Sequence, residues 1–146
     1  RVGRELFDSM FSFAIIRNPF DQLVSHYLYI QTYPGHHNYQ ASMSLDFSDF
    51  IQRKTRTDLN FTRTQLSKVT DRNGEMLVKK LYRFENYSDI LPDVLARIGL
   101  PPPEETPHEK QSARKPYQEY YDDRARALVE KHFRADLDAF GYSFDD

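Results

Sequence analysis

Arg17 and Ser25 are the residues of this chain whose types and spacing best suit chemistry. They bracket the segment Arg17-Asn-Pro-Phe-Asp-Gln-Leu-Val-Ser25, which follows the apolar run Ser12–Ile16. An arginine at the end of a strand offers a planar, permanently charged fork that matches phosphate oxygens. A helix that starts immediately after it presents free N–H groups and a partial positive charge. A serine two turns along that helix adds a hydroxyl donor. In an open α/β sheet, ligands bind beyond the carboxyl ends of the strands, where this layout would lie. The same residues also suit a structural ion pair and a solvated helix face, because strand–turn–helix units are common and need no ligand.

The other reactive residue types are less well placed. His36-His37-Asn38 could suggest a metal, but adjacent histidines point apart in most backbones and a structural metal wants about four ligands. His26, His108 and His132 are scattered, so isolated surface histidines and no metal are expected. Glu85 is the best-placed carboxylate, and it reads as an ion-pair partner for an arginine such as Arg83 rather than as an acid or base. Gln52–Arg72 holds six Lys or Arg against two Asp, a local charge of +4. Arg53, Lys54, Arg56 and Arg63 in this stretch suit either an anionic acceptor such as a glycan or a solvated face.

These groups need elements to hold them. Ser12–Ile16 is short, apolar and followed by an Asn-Pro turn signal, which predicts a central strand buried on both faces. Asn18 is a good N-cap and Pro19 a favoured first helical residue. Leu23, Val24, Tyr27 and Leu28 then recur at helical spacing, while Asp21 and Ser25 share another face. The helix should end by Tyr33-Pro34-Gly35. Residues 36–44 read as loop and Ser44–Ile51 as a short capped helix. Asp71-Arg-Asn-Gly74 is a hairpin-type turn signal. Met76–Phe84 is the second strand candidate, with Leu81–Phe84 expected to partner the first. Tyr87–Ile98 carries one apolar stripe and is closed by Gly99 and three prolines. An irregular loop over 101–116, a final helix over Tyr117–Phe133 and a short turn or helix over Asp136–Tyr142 complete the chain.

The 146 residues suit one domain, 1–146, without internal repeats. A net charge of −2, with no accompanying signature, gives no reason to expect nucleic-acid binding. The absence of cysteine excludes disulfides, thiolate metal sites and a cysteine nucleophile. No apolar run approaches the roughly 20 residues of a membrane span, and no signal peptide is seen. A cytoplasmic protein is expected.

Beyond this local reading, Arg17-Asn-Pro-Phe-Asp-Gln-Leu-Val-Ser25-His-Tyr27 closely resembles the 3′-phosphate-binding segment of sulfotransferases, enzymes that use 3′-phosphoadenosine-5′-phosphosulfate (PAPS). Arg63-Thr-Gln65, Gly74-Glu-Met-Leu-Val-Lys79 and Arg83-Phe-Glu-Asn86 follow in the order seen in the carbohydrate and bacterial branch of that family. Ser112-Ala-Arg-Lys-Pro-Tyr117, Tyr120-Tyr121 and Phe140-Gly-Tyr142 resemble its closing segment. The match spans nearly the whole chain.

The resemblance implies an α/β fold with a small, mostly parallel sheet flanked by helices, a truncated P-loop-type sulfotransferase fold. It implies that Arg17 and Ser25 bind the 3′-phosphate of PAPS, and that the loop with Ser112, Arg114 and Lys115 folds over the nucleotide. Arg63 and Gln65 would fall near the acceptor or nucleotide. Gln22 departs from the pattern, where arginine is usual; a supporting ion pair is the expected change. Arg1–Met10 resembles what immediately precedes the Arg-Asn-Pro strand, so the family's glycine-bearing 5′-phosphosulfate loop and its histidine base are absent here. The expectation is a C-terminal part of a sulfotransferase, which grips PAPS but alone does not complete transfer to a hydroxyl acceptor such as a glycan. A strand missing beside Ser12–Ile16 would leave an edge open to a second copy or to rearrangement. The alternatives are a non-catalytic module binding a nucleotide or polyanion, and a structural helical domain in which Arg17 is an ion-pair residue.

Overall fold

The computed structural model describes residues 3–58, 61–101 and 114–146. Among them lie eight α-helices: α1 (Arg4–Ser9), α2 (Pro19–Gln31), α3 (Tyr39–Ser44), α4 (Phe47–Thr57), α5 (Leu66–Val69), α6 (Tyr87–Arg97), α7 (Asp123–His132) and α8 (Arg134–Phe140). Two strands, β1 (Phe13–Ile16) and β2 (Lys80–Arg83), pair in parallel with Phe13 opposite Lys80 and Ile16 opposite Arg83. The fold is therefore α/β, with a small parallel sheet. The chain divides into two compact units, Arg1–Arg17 with Val69–Ser112 and Asn18–Lys68 with Ala113–Asp146.

The first unit contains the sheet. Asp71 shapes the expected turn by accepting from the amides of Asn73 (2.8 Å) and Glu75 (2.9 Å). Thr70 then bridges antiparallel to Met76. The regular strand is shorter than Met76–Phe84, since Met76 and Leu77 belong to this turn region and are exposed. On one sheet face, Lys80 and Tyr82 both reach Asp93 of α6, so that helix covers the β2 half. The β1 half of the face remains open, with Phe13 40% and Ile15 43% exposed, while Ile16 on the opposite face is buried. The expectation of a strand buried on both faces is thus corrected. α6 ends as expected at Gly99, whose φ of 75° is the left-handed conformation open to glycine. The Leu100 amide then donates to the Leu95 carbonyl (2.9 Å).

The second unit is helical. α2 buries Phe20, Leu23, Val24, Tyr27 and Ile30, and α4 buries Phe47, Phe50, Ile51 and Lys54. Both stripes follow the three- and four-residue spacing of a helix face. α4 extends well past the expected end at Ile51, because burial continues to Lys54. Residues 39–44, read above as loop, form α3, held where Ala41 and Ser42 are buried and Gln31 of α2 donates to the Ser42 carbonyl (2.6 Å). The expected single helix over Tyr117–Phe133 is a 3₁₀ turn at Tyr117–Tyr120 followed by α7. Asp122 resets the start by capping the Ala125 amide (2.7 Å) and accepting from Ser48 (2.7 Å). Tyr120, Tyr121 and Leu128 are half-buried, and Ala125 and Val129 form the buried edge of this segment.

Candidate functional site

Asn18 fixes the start of α2. Its side-chain oxygen accepts from the Phe20 amide (3.1 Å), and its side-chain nitrogen donates to the Ser143 carbonyl (2.8 Å). Pro19 follows at the first helical position, where its missing N–H is no loss. Tyr117 donates to the Phe144 carbonyl (2.8 Å) and lies within reach of the Asn18 side chain (3.3 Å). Burial and the nearby carboxylates of Asp146 and Asp21 push the Tyr117 hydroxyl up to about 12. Burial likewise raises Tyr121, whose hydroxyl donates to the Phe20 carbonyl (3.0 Å). Both phenols are therefore protonated donors at neutral pH.

Asp21 and Ser25 stand one turn apart on α2, off its buried stripe, and both are half-buried. Arg114 reaches this face and pairs through Nη2 with the Asp21 carboxylate. The Arg114 side chain is only 19% exposed, and its other terminal nitrogen, Nη1, is buried without a hydrogen-bond partner. The structure thus brings Arg114 to Asp21 on α2, across 93 residues of sequence. Asp21 is not among the site residues that the sequence proposes. The only local signal for it was the shared face with Ser25.

The remaining candidates are placed differently. Arg17 closes β1 in the first unit, half-buried, with its guanidinium 4.3 Å above the Phe84 ring. Lys115 is exposed, 3.6 Å from the Glu119 carboxylate. Ser112 and His108 lie outside the described residues. Arg63 is exposed, whereas Gln65 is buried. The Gln65 and Leu66 amides both donate to the buried Asp136 carboxylate, each at 2.8 Å. Glu85 is exposed in a 3₁₀ turn, and Gln22 is half-buried on α2.

Lys54 corrects the reading of the basic stretch as a binding or solvated face throughout. It is 3% exposed, paired with Asp58, and its ammonium lies 5.3 Å from the Phe61 ring centre. Arg53, Arg56 and Arg63 are exposed. His36 and His37 do not point apart: their rings stack at 4.4 Å, because Asn38 bonds to both, through its amide at 3.1 Å and its side chain at 2.7 Å. Among the described residues, no group of three or more His, Asp or Glu side chains could hold a metal, and no helix is long and apolar enough to cross a membrane.

What the second unit offers is a pair of anion donors on or beside α2: a hydroxyl at Ser25 and a partly engaged guanidinium at Arg114. An orphaned, charged, buried donor is costly and calls for an acceptor. A protein of Archaeoglobus fulgidus described as uncharacterized is 34% identical over 104 residues, covering 69% of this chain and 78% of that protein. No solved structure matches. The sulfotransferase family profile matches residues 2–143, nearly the whole chain, and on that match the chain belongs to the sulfotransferase family.

Proposed function

We propose that the chain binds PAPS and serves transfer of its sulfuryl group to a hydroxyl acceptor, of the kind found on carbohydrates. The observation that carries this reading is the orphaned Nη1 of Arg114, whose other terminal nitrogen pairs with Asp21 on α2. Family membership supplies the reaction class.

The residues that would hold the nucleotide are Arg17, Ser25, Arg114 and Lys115, joined by Ser112. Ser25 would donate its hydroxyl to an oxygen of the 3′-phosphate. Arg114 would neutralise that phosphate with a planar fork. Arg17 is proposed for the same role on the resemblance of its segment alone. Bound PAPS supplies the activated sulfuryl group. The contribution of these residues is positioning, because a firmly held nucleotide presents its reacting end in a fixed place. Arg63 is proposed to meet an anionic acceptor from its exposed position. Gln65, being buried, would act by placing that segment. Among the described residues β1 is paired along one edge only, by β2, which supports one partner proposal, a second copy of this chain pairing along Phe13–Ile16. A single monomeric species in analytical ultracentrifugation would overturn it.

The test of the main reading is calorimetry with adenosine 3′,5′-bisphosphate. The wild-type chain is expected to bind it, and Arg17→Ala and Ser25→Ala are each expected to weaken binding at least about tenfold. Absence of binding at millimolar ligand, or binding indifferent to both substitutions, would overturn the reading. Tighter binding to a sulfated glycan than to the nucleotide would favour a polyanion-binding module instead.

A further inference from the structure

We propose that Asp21 is a positioning residue for nucleotide binding: by engaging one end of the Arg114 guanidinium, it fixes the other end as the phosphate donor. This rests on the reading that the chain binds a 3′-phosphorylated adenine nucleotide at this face of α2.

A guanidinium is planar and carries its five N–H groups in a rigid fork, so fixing one terminal nitrogen restricts the direction of the other. Asp21 holds Nη2. Nη1 is then buried with no acceptor. An ion pair that served only the fold would gain by turning its second terminal nitrogen toward a carbonyl or the solvent. Holding it buried and unmatched suits a site that awaits an oxyanion. Asp21 and Arg114 are 15% and 19% exposed, so their pairing is shielded from solvent and the fork is already ordered before any ligand arrives.

The neighbouring phenols fit the same arrangement. Tyr121 donates to the Phe20 carbonyl and Tyr117 to the Phe144 carbonyl, so both hydroxyl protons are directed to backbone carbonyls. Asp21 contributes its negative charge to both phenols, which favours their neutral form. The Asp21 charge lies beside an anion site, where bare electrostatics would make it harmful to ligand binding. Removing it should then tighten binding. Positioning through Arg114 predicts the opposite sign, and the sign separates the two.

The test is calorimetric titration of the 146-residue chain with adenosine 3′,5′-bisphosphate. Asp21→Asn is expected to weaken binding about tenfold. In an Arg114→Ala background, the same substitution should change affinity by less than about twofold, because its effect passes through Arg114. Arg114→Lys keeps a charge that can pair with Asp21 but lacks the second fork nitrogen. It is expected to fold with the pair retained and to bind within about twofold of Arg114→Ala. Equal or tighter binding by Asp21→Asn overturns the inference, as does an equal loss in both backgrounds. Wild-type affinity in Arg114→Lys also overturns it, whether or not Asp21→Asn folds. A wild-type chain that does not bind the nucleotide overturns the underlying reading and this inference with it. Binding that is sensitive to Ser25→Ala but not to Asp21→Asn overturns this inference alone.

Discussion

Asp136 offers the largest effect that the geometry of one side chain allows. It is fully buried on α8, and its two oxygens accept from the Gln65 and Leu66 amides, each at 2.8 Å. Those amides open α5, so the carboxylate satisfies two N–H groups that the short helix leaves unpaired. A hydrogen bond to a charged group contributes about 1.5–3 kcal/mol. Asp136→Ala removes both bonds, one to a buried and one to a half-buried amide, a loss of about 3–6 kcal/mol. Asp136→Asn keeps one acceptor oxygen at nearly the same volume and should lose about half as much. Urea unfolding followed by far-UV circular dichroism measures the difference. Amide exchange at Gln65 and Leu66 gives the local readout, and both amides should lose protection in Asp136→Ala. A loss below about 1 kcal/mol in Asp136→Ala, with those two amides still protected, would refute the argument. It would mean that the Gln65 segment is held by something other than this carboxylate.

Asn18→Ala removes a cap and a bond to the Ser143 carbonyl; thermal melting should show a loss of about 1.5–3 kcal/mol, of which Asn18→Ser recovers the capping part. Burial, with the His36 and Lys54 charges, holds His26 below the usual histidine range, Asp58 opposing and His37 adding slightly. The unfolded chain then protonates first, so stability should fall as pH drops below about 6.5, and His26→Gln should flatten the melting temperature between pH 7.5 and 5.5. Arg97, Tyr82 and Lys80 hold Asp93 well below the usual carboxylate range. Its stabilisation is present above about pH 4 and is lost only as pH falls through the lowered value, so Asp93→Asn should be most costly at neutral pH and least at pH 2 by melting temperature. Arg53, Arg56 and Arg63 are exposed, so any glycan binding they support should weaken strongly between 0.05 and 0.5 M salt, roughly as the Debye length shortens, with Arg63→Ala reducing the slope in a filter-binding assay.

How much of this was legible in the sequence follows from the range of the interactions concerned. The Asn18 cap, the Pro19 start, the Asp71 turn and the Gly99 stop are each decided within a few residues, and each stands where local rules place it. The parallel partner of β1 was legible because both strands end in recognisable helix or turn starts. α3 was not, because its helix depends on burial of Ala41 and Ser42 beside α2 rather than on any periodic apolar pattern. The start of α7 depended on Asp122 meeting Ser48, 74 residues away. The openness of β1 was missed because apolar composition says that a strand can be buried, not that a neighbour covers it. Asp136 had a visible signal, a carboxylate set among Phe133, Leu137 and Phe140, and a charge in such a stripe calls for buried donors.

The candidate site divides along the same line. Ser25 is found from spacing along one helix, whereas Arg114 is connected to α2 only through a contact that spans 93 residues. The difference is chemical as well as topological. Arg53, Arg56 and Arg63 are exposed, and a solvated guanidinium gives up hydration and rotamer freedom to bind an anion. Arg114 has already surrendered most of both, since Asp21 orders it and the surroundings have removed its water. In the proposed reading its remaining donor would therefore serve one phosphate in one place, and the exposed arginines a diffuse polyanion. Under the proposed reading the half-paired guanidinium would hold a nucleotide in register for sulfuryl transfer, a task that general affinity for anions does not set.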